Sequence, residues 1–273
     1  MPTGIVIISE SLLESRIKGK ILPFPDSTWI HPNPIYENKI IFSPCNNKVN
    51  DGSNNLNLGD SIAYGKPAVI SCAWFGECYN YCYARRVNAR FKASLRIHGH
   101  NYKIIYGKDI STIYNAIYSG FGLACEKYKS DYKVIRLNDS GDFISVNEIL
   151  AWIKFAATQD DLIIYGYTKS SPLIWKVLNQ VKAFPDNFRI TLSITDNIES
   201  LKYTQLCLGY YPDQVITCRI IDTIPDYYPN LPWNNTEQRA IIHDQDFKIA
   251  LHDNSKIGEY YRKLSGKIGI NTC

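Results

Sequence analysis

No long apolar run, no block of like charge and no C-x2-C knuckle occurs in this 273-residue chain, and each absence removes a class of function. A membrane-spanning helix needs roughly 20 consecutive apolar residues. No stretch approaches that length, so no membrane partner is expected. The opening residues 1–10 lack a basic n-region, and acidic and basic residues soon follow their short apolar run, unlike a secretory signal. Lys and Arg total 30 against 26 Asp and Glu, a formal charge of +4 without basic clusters. That balance allows a nucleic-acid partner but does not call for one. G-x-S-x-G, a phosphate-cradling glycine loop and H-E-x-x-H are all missing, which leaves the common hydrolase and nucleotide-binding readings without a motif. Internal repeats and long low-complexity tracts are absent too.

What is present is an ordinary globular composition, 45% hydrophobic and 21% charged, long enough for a full core. Residues 1–65 read as an irregular N-terminal segment packing on the core, with short strand-like runs at Ile5–Ile8 and Lys39–Phe42. An exposed, Asn- and Gly-rich loop is expected at Asn46–Asn57. Residues 66–273 read as one α/β domain. Strands are expected at Ala68–Ser71, Lys133–Leu137, Leu162–Tyr167, Arg189–Ile194, Gln214–Ile220 and Lys248–Leu251, with helices at about 83–96, 109–128, 146–158, 172–182 and 197–206. Such alternation predicts βαβ units and a parallel sheet, either doubly wound or a partial barrel. Thr223–Asn235, rich in Pro, Tyr, Trp and Asn, predicts a loop where a crossover helix would otherwise stand. In either architecture, functional groups belong on the loops after the strands' carboxyl ends.

Three cysteines occur within eleven residues, Cys72, Cys78 and Cys82, spaced C-x5-C-x3-C. A chain without a signal sequence is expected in the cytoplasm, where clustered cysteines serve as metal ligands or catalytic groups. Structural zinc takes four closed ligands and a disulfide takes two sulfurs. Three thiolates suit a [4Fe-4S] cluster, holding three irons and leaving the fourth open. The alternatives are zinc, completed by His98, His100, Cys125 or Cys273, and a disulfide or unligated thiols.

Ser140-Gly141-Asp142-Phe143 follows the second strand expected. Gly141 lets a ligand approach the backbone, and Asp142 offers a carboxylate to an ammonium or hydroxyl group. Ser145 and Glu148 form an S-x-x-E capping box for the next helix, which leaves Asp142 without that task. Lys169, in Tyr165-Gly-Tyr-Thr-Lys169-Ser, suits a carboxylate or phosphate, or is simply solvated. Ser193 and Asp196 suit a ribose or amino acid, unless Asp196 only caps a helix. Arg136, inside an apolar strand, either points into a polar barrel interior or pairs locally. His243, His252, Asp244, Asp246 and Asp253 match no metal spacing and read as surface residues.

The strings around Cys72, Cys78 and Cys82, with Ser140–Phe143, Trp152 and Tyr165–Ser170, resemble the phage "gene product 88" domain family over about residues 38–200. More remotely, the layout is similar to radical S-adenosylmethionine enzymes, partial (β/α)6 barrels with a three-cysteine loop after the first strand. In those enzymes an aromatic residue precedes the last cysteine, as Tyr81 precedes Cys82, although their usual spacing is C-x3-C-x2-C. The resemblance implies a partial (β/α)6 barrel-like parallel sheet. It also implies a [4Fe-4S] cluster on Cys72, Cys78 and Cys82, and S-adenosylmethionine bound at Ser140, Gly141, Asp142, Lys169 and Ser193. The activity would be generation of a 5′-deoxyadenosyl radical, with a small electron-donor protein as partner and a host cytoplasm as compartment. The competing expectation is a non-enzymatic, zinc- or Fe–S-stapled module whose Tyr79, Tyr81, Arg85, Arg86 and Arg90 bind nucleic acid.

Overall fold

The computed structural model describes residues 30–44, 60–76, 82–221 and 247–250. Seven strands share one sheet: β1 (Ser43–Pro44), β2 (Ser61–Ala63), β3 (Val134–Leu137), β4 (Ile163–Thr168), β5 (Phe188–Ile194), β6 (Val215–Ile221) and β7 (Phe247–Ala250). They lie side by side in chain order. β1 runs antiparallel to β2, and every later pair is parallel. A doubly wound sheet reverses its order at a switch point. The described strands never reverse, so each crossover steps the same way and the parallel part is singly wound. With right-handed crossovers, that topology gathers the helices on one face.

Among the described residues, six α-helices accompany the strands: α1 (Tyr83–Arg90), α2 (Lys92–Ile105), α3 (Ile110–Tyr128), α4 (Val146–Ala156), α5 (Ser171–Val181) and α6 (Ile198–Tyr210). Local chemistry sets several starts. Asp109, Ser145 and Asn197 each accept a backbone N–H from the first turn of α3, α4 and α6 through a side-chain oxygen, and α5 carries Pro172 in its first turn. Consecutive helices from α3 to α6 pack on one another.

Register divides the sheet's two faces, because partners in a parallel ladder point to the same side. Ile62, Ile135, Leu137, Ile164, Ile190, Leu192 and Val215 join Ile113, Ile149, Trp152, Ile174 and Leu178 in one apolar core, so this face meets the helices. Val134, Arg136, Tyr165, Tyr167, Thr191 and Ser193 occupy the opposite face and lie outside that core.

Most expected elements appear within a few residues of their expected ends, with three corrections. The first parallel strand is Ser61–Ala63, inside the stretch expected to be irregular, while Ala68–Ser71 is a turn closed by Ser71 N–H donating to the Pro67 carbonyl (3.2 Å). Lys39–Phe42 is not a strand; pairing starts only at Ser43, and Asn101 holds Ile41 through both its N–H and its carbonyl. The helix expected over 83–96 is two helices, broken at Phe91, whose backbone is extended (φ −112°, ψ 98°). Ile5–Ile8, Asn46–Asn57 and Thr223–Asn235 lie outside the described residues.

Candidate functional site

Past β2 the chain is stitched to the turn after β3. Tyr64 N–H donates to the Arg136 carbonyl (2.8 Å), Asp139 N–H to the Tyr64 carbonyl (3.0 Å) and Lys66 N–H to the Ser140 carbonyl (2.7 Å). The tight turn that follows holds Val69 in the left-handed region (φ +73°) although it is β-branched and buried. A conformation of that kind costs of order 1–3 kcal/mol and persists only where its surroundings enforce it. Cys72 N–H donates to the Val69 carbonyl (3.1 Å), so the strained turn fixes where the first thiol sits. Gly141 (φ +77°) makes the facing loop fit, since a Cβ there would run into Ser71 Oγ and the Lys66 carbonyl.

Asp142 is buried and ties the ends of β3 and β4 together. Its Oδ1 accepts from Phe143 N–H (2.8 Å) and from the Thr168 hydroxyl (2.5 Å), and its Oδ2 accepts from Lys169 N–H (2.8 Å). Its own N–H donates to Ser71 Oγ (3.2 Å). These described partners of the carboxylate are all protein groups. Ser140, also buried, accepts from Asn88 Nδ2 on α1 (3.3 Å).

Both described thiols of the cluster, Cys72 and Cys82, are half-buried. Burial pushes the Cys72 thiol well above its ordinary range, the charges of Asp142 and Cys82 push it further, and Lys169 pulls the other way. Cys82, Asp142 and Lys169 thus all lie within electrostatic reach of the Cys72 thiol. Cys82 caps α1, its sulfur accepting from Arg85 N–H (3.4 Å), and a helix N-terminus favours an anion. Cys78, Tyr79 and Tyr81 lie outside the described residues. Among the described residues, no three His, Cys, Asp or Glu side chains gather closely enough to hold a metal.

The thiol loop extends across the rim. Trp74 Nε1 donates to Glu199 Oε2 (2.9 Å), Asn197 Nδ2 reaches the Phe75 carbonyl (3.5 Å), and Gly76 lies so close to Asp196 that a Cβ would collide with it. Asn197, not Asp196, caps α6. One loop therefore touches the carboxyl ends of β2, β3 and β5, and Lys169 brings in β4. Ser193 stands apart from this group, on the face away from the helices, with its hydroxyl 3.5 Å from Cys218 Sγ. The residues suggested for completing zinc have other work. His100 accepts from His31 N–H at Nδ1 (3.1 Å) and reaches the Lys39 carbonyl with Nε2 (2.8 Å), and Cys125 lies beside Asp131 and Tyr132, which lead into the amino end of β3. His98 is buried between Asn88 and Gly65. Cys273, His243 and His252 lie outside the described residues, and Arg86 and Arg90 are described only as backbone of α1.

Beneath the rim lies a group that sequence reasoning missed. Lys66, fully buried, donates to Glu148 Oε1 (2.6 Å) and Asn138 Oδ1 (3.0 Å) and stands 4.4 Å from the centre of the Tyr64 ring. Glu148 also accepts from the Tyr64 hydroxyl (3.1 Å) and Ile144 N–H (2.8 Å). The one sequence signal was the capping box, which accounts for Glu148 only in part. Ser145 Oγ does accept from Glu148 N–H (3.1 Å), but the carboxylate turns inward to Lys66.

The family model described as "Gene product 88" matches residues 41–212, well over half of the chain. The chain belongs to the gene product 88 family. The matched span of this gene product 88 protein runs from just before β1 through α6, and so takes in the thiol loop, the Ser140–Phe143 turn and the Lys169 loop. No curated protein matches it, and no solved structure does. No described helix is long and apolar enough to cross a membrane.

Proposed function

We propose that this gene product 88 protein is an iron–sulfur enzyme of the radical S-adenosylmethionine type, working in the cytoplasm, host cytoplasm if phage-encoded. Its cluster is held by Cys72, Cys78 and Cys82, and its sheet curls into a partial (β/α)6 barrel. The observation that carries this reading is the position of the Cys72 loop at the carboxyl rim of six parallel strands in chain order, with Cys82, Asp142 and Lys169 within electrostatic reach of its thiol. Six strands of that order are the topology a partial barrel requires. When bound, the cluster supplies one electron for reductive cleavage of the sulfonium.

The chain's own residues supply position and charge. Cys72 is held protonated by its surroundings, so it must lose a proton to ligate, and loading becomes easier as pH rises. Asp142 fixes the Lys169 backbone, and the Lys169 ammonium would balance anionic sulfur and receive the cofactor's carboxylate. The Ser140–Gly141 turn would line the methionine end, and Ser193 lies on the face where a ribose would rest. Trp74, anchored to Glu199, closes one side of the loop against water.

The test is anaerobic purification, followed by iron, sulfide and zinc analysis and EPR of the reduced protein with and without S-adenosylmethionine. About four irons per chain, and a spectrum that S-adenosylmethionine changes, are expected. Zinc alone, or a spectrum indifferent to the cofactor, would overturn the reading.

A further inference from the structure

Charge is unevenly shared along this chain. No Asp or Glu occurs between Glu77 and Asp109, a stretch that holds seven Lys and Arg residues. Those seven exceed the net charge of the whole chain, +4, so the remainder is net negative. No short window concentrates the charge; the lack of carboxylates makes the stretch basic. Such an asymmetry is the footprint of a polyanionic partner when the cations share one surface.

The fold makes this stretch a pair of packed helices with an uncharged inner side. α1 starts at its N-cap Cys82, and the break at Phe91 sends the chain into α2. Asn88 and His98, both buried and 3.2 Å apart, fasten the pair to the rim. Asn88 Nδ2 reaches Ser140 Oγ (3.3 Å), and His98 lies against Gly65. The cations belong to the other side. Arg86 and Arg90 hold the positions two residues on from the buried Ala84 and Asn88, about half a turn round α1. Lys92 and Arg96 are exposed and one turn apart on α2, and neither forms an ion pair with a described residue. At the corner, between Arg90 and Lys92, Phe91 is 51% exposed. A row of cations suits phosphates, and an exposed ring among them suits unpaired bases, since every base has a face to stack. A membrane-surface helix would instead keep an apolar face for lipid, whereas α2 commits Tyr102 and Ile105 to the protein core.

We infer that the outer side of α1 and α2 binds single-stranded nucleic acid, its phosphates on Lys92, Arg96 and the arginines of α1 and a base stacked on Phe91. Because α1 begins at Cys82, a strand held there is led toward the thiol loop, but the binding does not rest on what the thiols hold. Fluorescence anisotropy on the full chain, with oligo-dT and oligo-rU of roughly 20 nucleotides, is read at about 50 and 200 mM KCl. At least one should bind saturably and more weakly at the higher salt, and the tighter names DNA or RNA. Lys92→Gln combined with Arg96→Gln should weaken binding at least tenfold at the lower salt. The pair should also flatten the log–log salt slope by about 1.4, the share of two phosphate contacts on a single strand. Lys176→Gln combined with Lys202→Gln removes the same charge from exposed positions on α5 and α6 and should leave affinity unchanged. Phe91→Ala should weaken binding at least fivefold with the slope unchanged, as loss of stacking does. Binding of neither oligonucleotide, equal losses in the two charge pairs, or wild-type affinity in Phe91→Ala overturns the assignment. Capture by phosphatidylserine vesicles with neither oligonucleotide bound overturns it in favour of a membrane surface. If Phe91→Ala does not fold, the two charge pairs decide alone.

Discussion

Lys66 and Glu148 carry the sharpest energetic consequence of any ion pair among the described residues. Both side chains are fully buried and 2.6 Å apart, and the Lys66 backbone receives the Ser140 turn. A buried ion pair of this kind adds little net stability over apolar residues, but removing one partner strands a charge. Lys66→Met and Glu148→Gln should each cost about 3–5 kcal/mol in urea unfolding. The double variant should cost less than the sum of the two, the mark of groups that share one interaction. Additive losses would show that the pair is not coupled. The sequence could not announce this pair. A single lysine before a proline reads as a solvated loop residue, and the capping box gave Glu148 a sufficient local explanation. The thiols and the Ser140–Phe143 turn were legible because their spacing and residue types are unusual in themselves. Asp142 was legible as important, yet its partners Thr168 and Lys169 lie 26 and 27 residues away, a relation that only the fold creates.

At the scale of elements, Asn101 on α2 does the work of a missing strand. Its Oδ1 accepts from Ile41 N–H (2.8 Å), and its Nδ2 donates to the carbonyls of Ile41 (2.9 Å) and Gly65 (3.0 Å). The side chain is fully buried and pins the segment before β1 to the segment after β2. The apolar run Lys39–Phe42 looked like a strand because burial, not pairing, selects such residues, and a side-chain amide satisfies its backbone here. β2 escaped notice for the opposite reason: three residues, all buried, give no alternation to read. The break at Phe91 has no glycine or proline to mark it. Asn101→Ala should destabilise by about 2–4 kcal/mol, on the ground that each buried backbone group left unpaired costs about 1–3 kcal/mol. Asn101→Asp should be worse at neutral pH, because a carboxylate would then face two carbonyl oxygens, and should recover in part as acid protonates it. Hydrogen exchange at the Ile41 amide reports the loss locally. Unchanged protection in Asn101→Ala would remove Asn101 from this role.

At the scale of the whole molecule, strand order decides between architectures that periodicity cannot separate. The same alternation of strands and helices serves doubly wound and singly wound sheets, and only the pairing shows that no reversal occurs among the described strands. That order brings the β2, β3, β4 and β5 ends into one rim, and His98 sits beneath it beside Gly65 and Asn88. His98 is buried behind Asn88, and burial lowers its pKa to about 4; Asp139 opposes the shift and Lys66 adds to it. The histidine is therefore neutral in the fold but takes a proton in the unfolded chain near its ordinary value of 6.5. Because the folded pKa is the lower one, the unfolded state binds more protons as pH falls from 6.5 toward 4. Stability is complete above that window and is lost through it. A shift of this size corresponds to about 3 kcal/mol over the full window. Carboxylates titrate in the same range, so the informative quantity is the difference made by His98→Asn. Urea unfolding at pH 7.5 and 4.5 should show the wild type losing about 2–3 kcal/mol more than the variant between the two. The two chains losing the same amount would mean that His98 is protonated in the fold, with its positive charge accommodated beside Lys66.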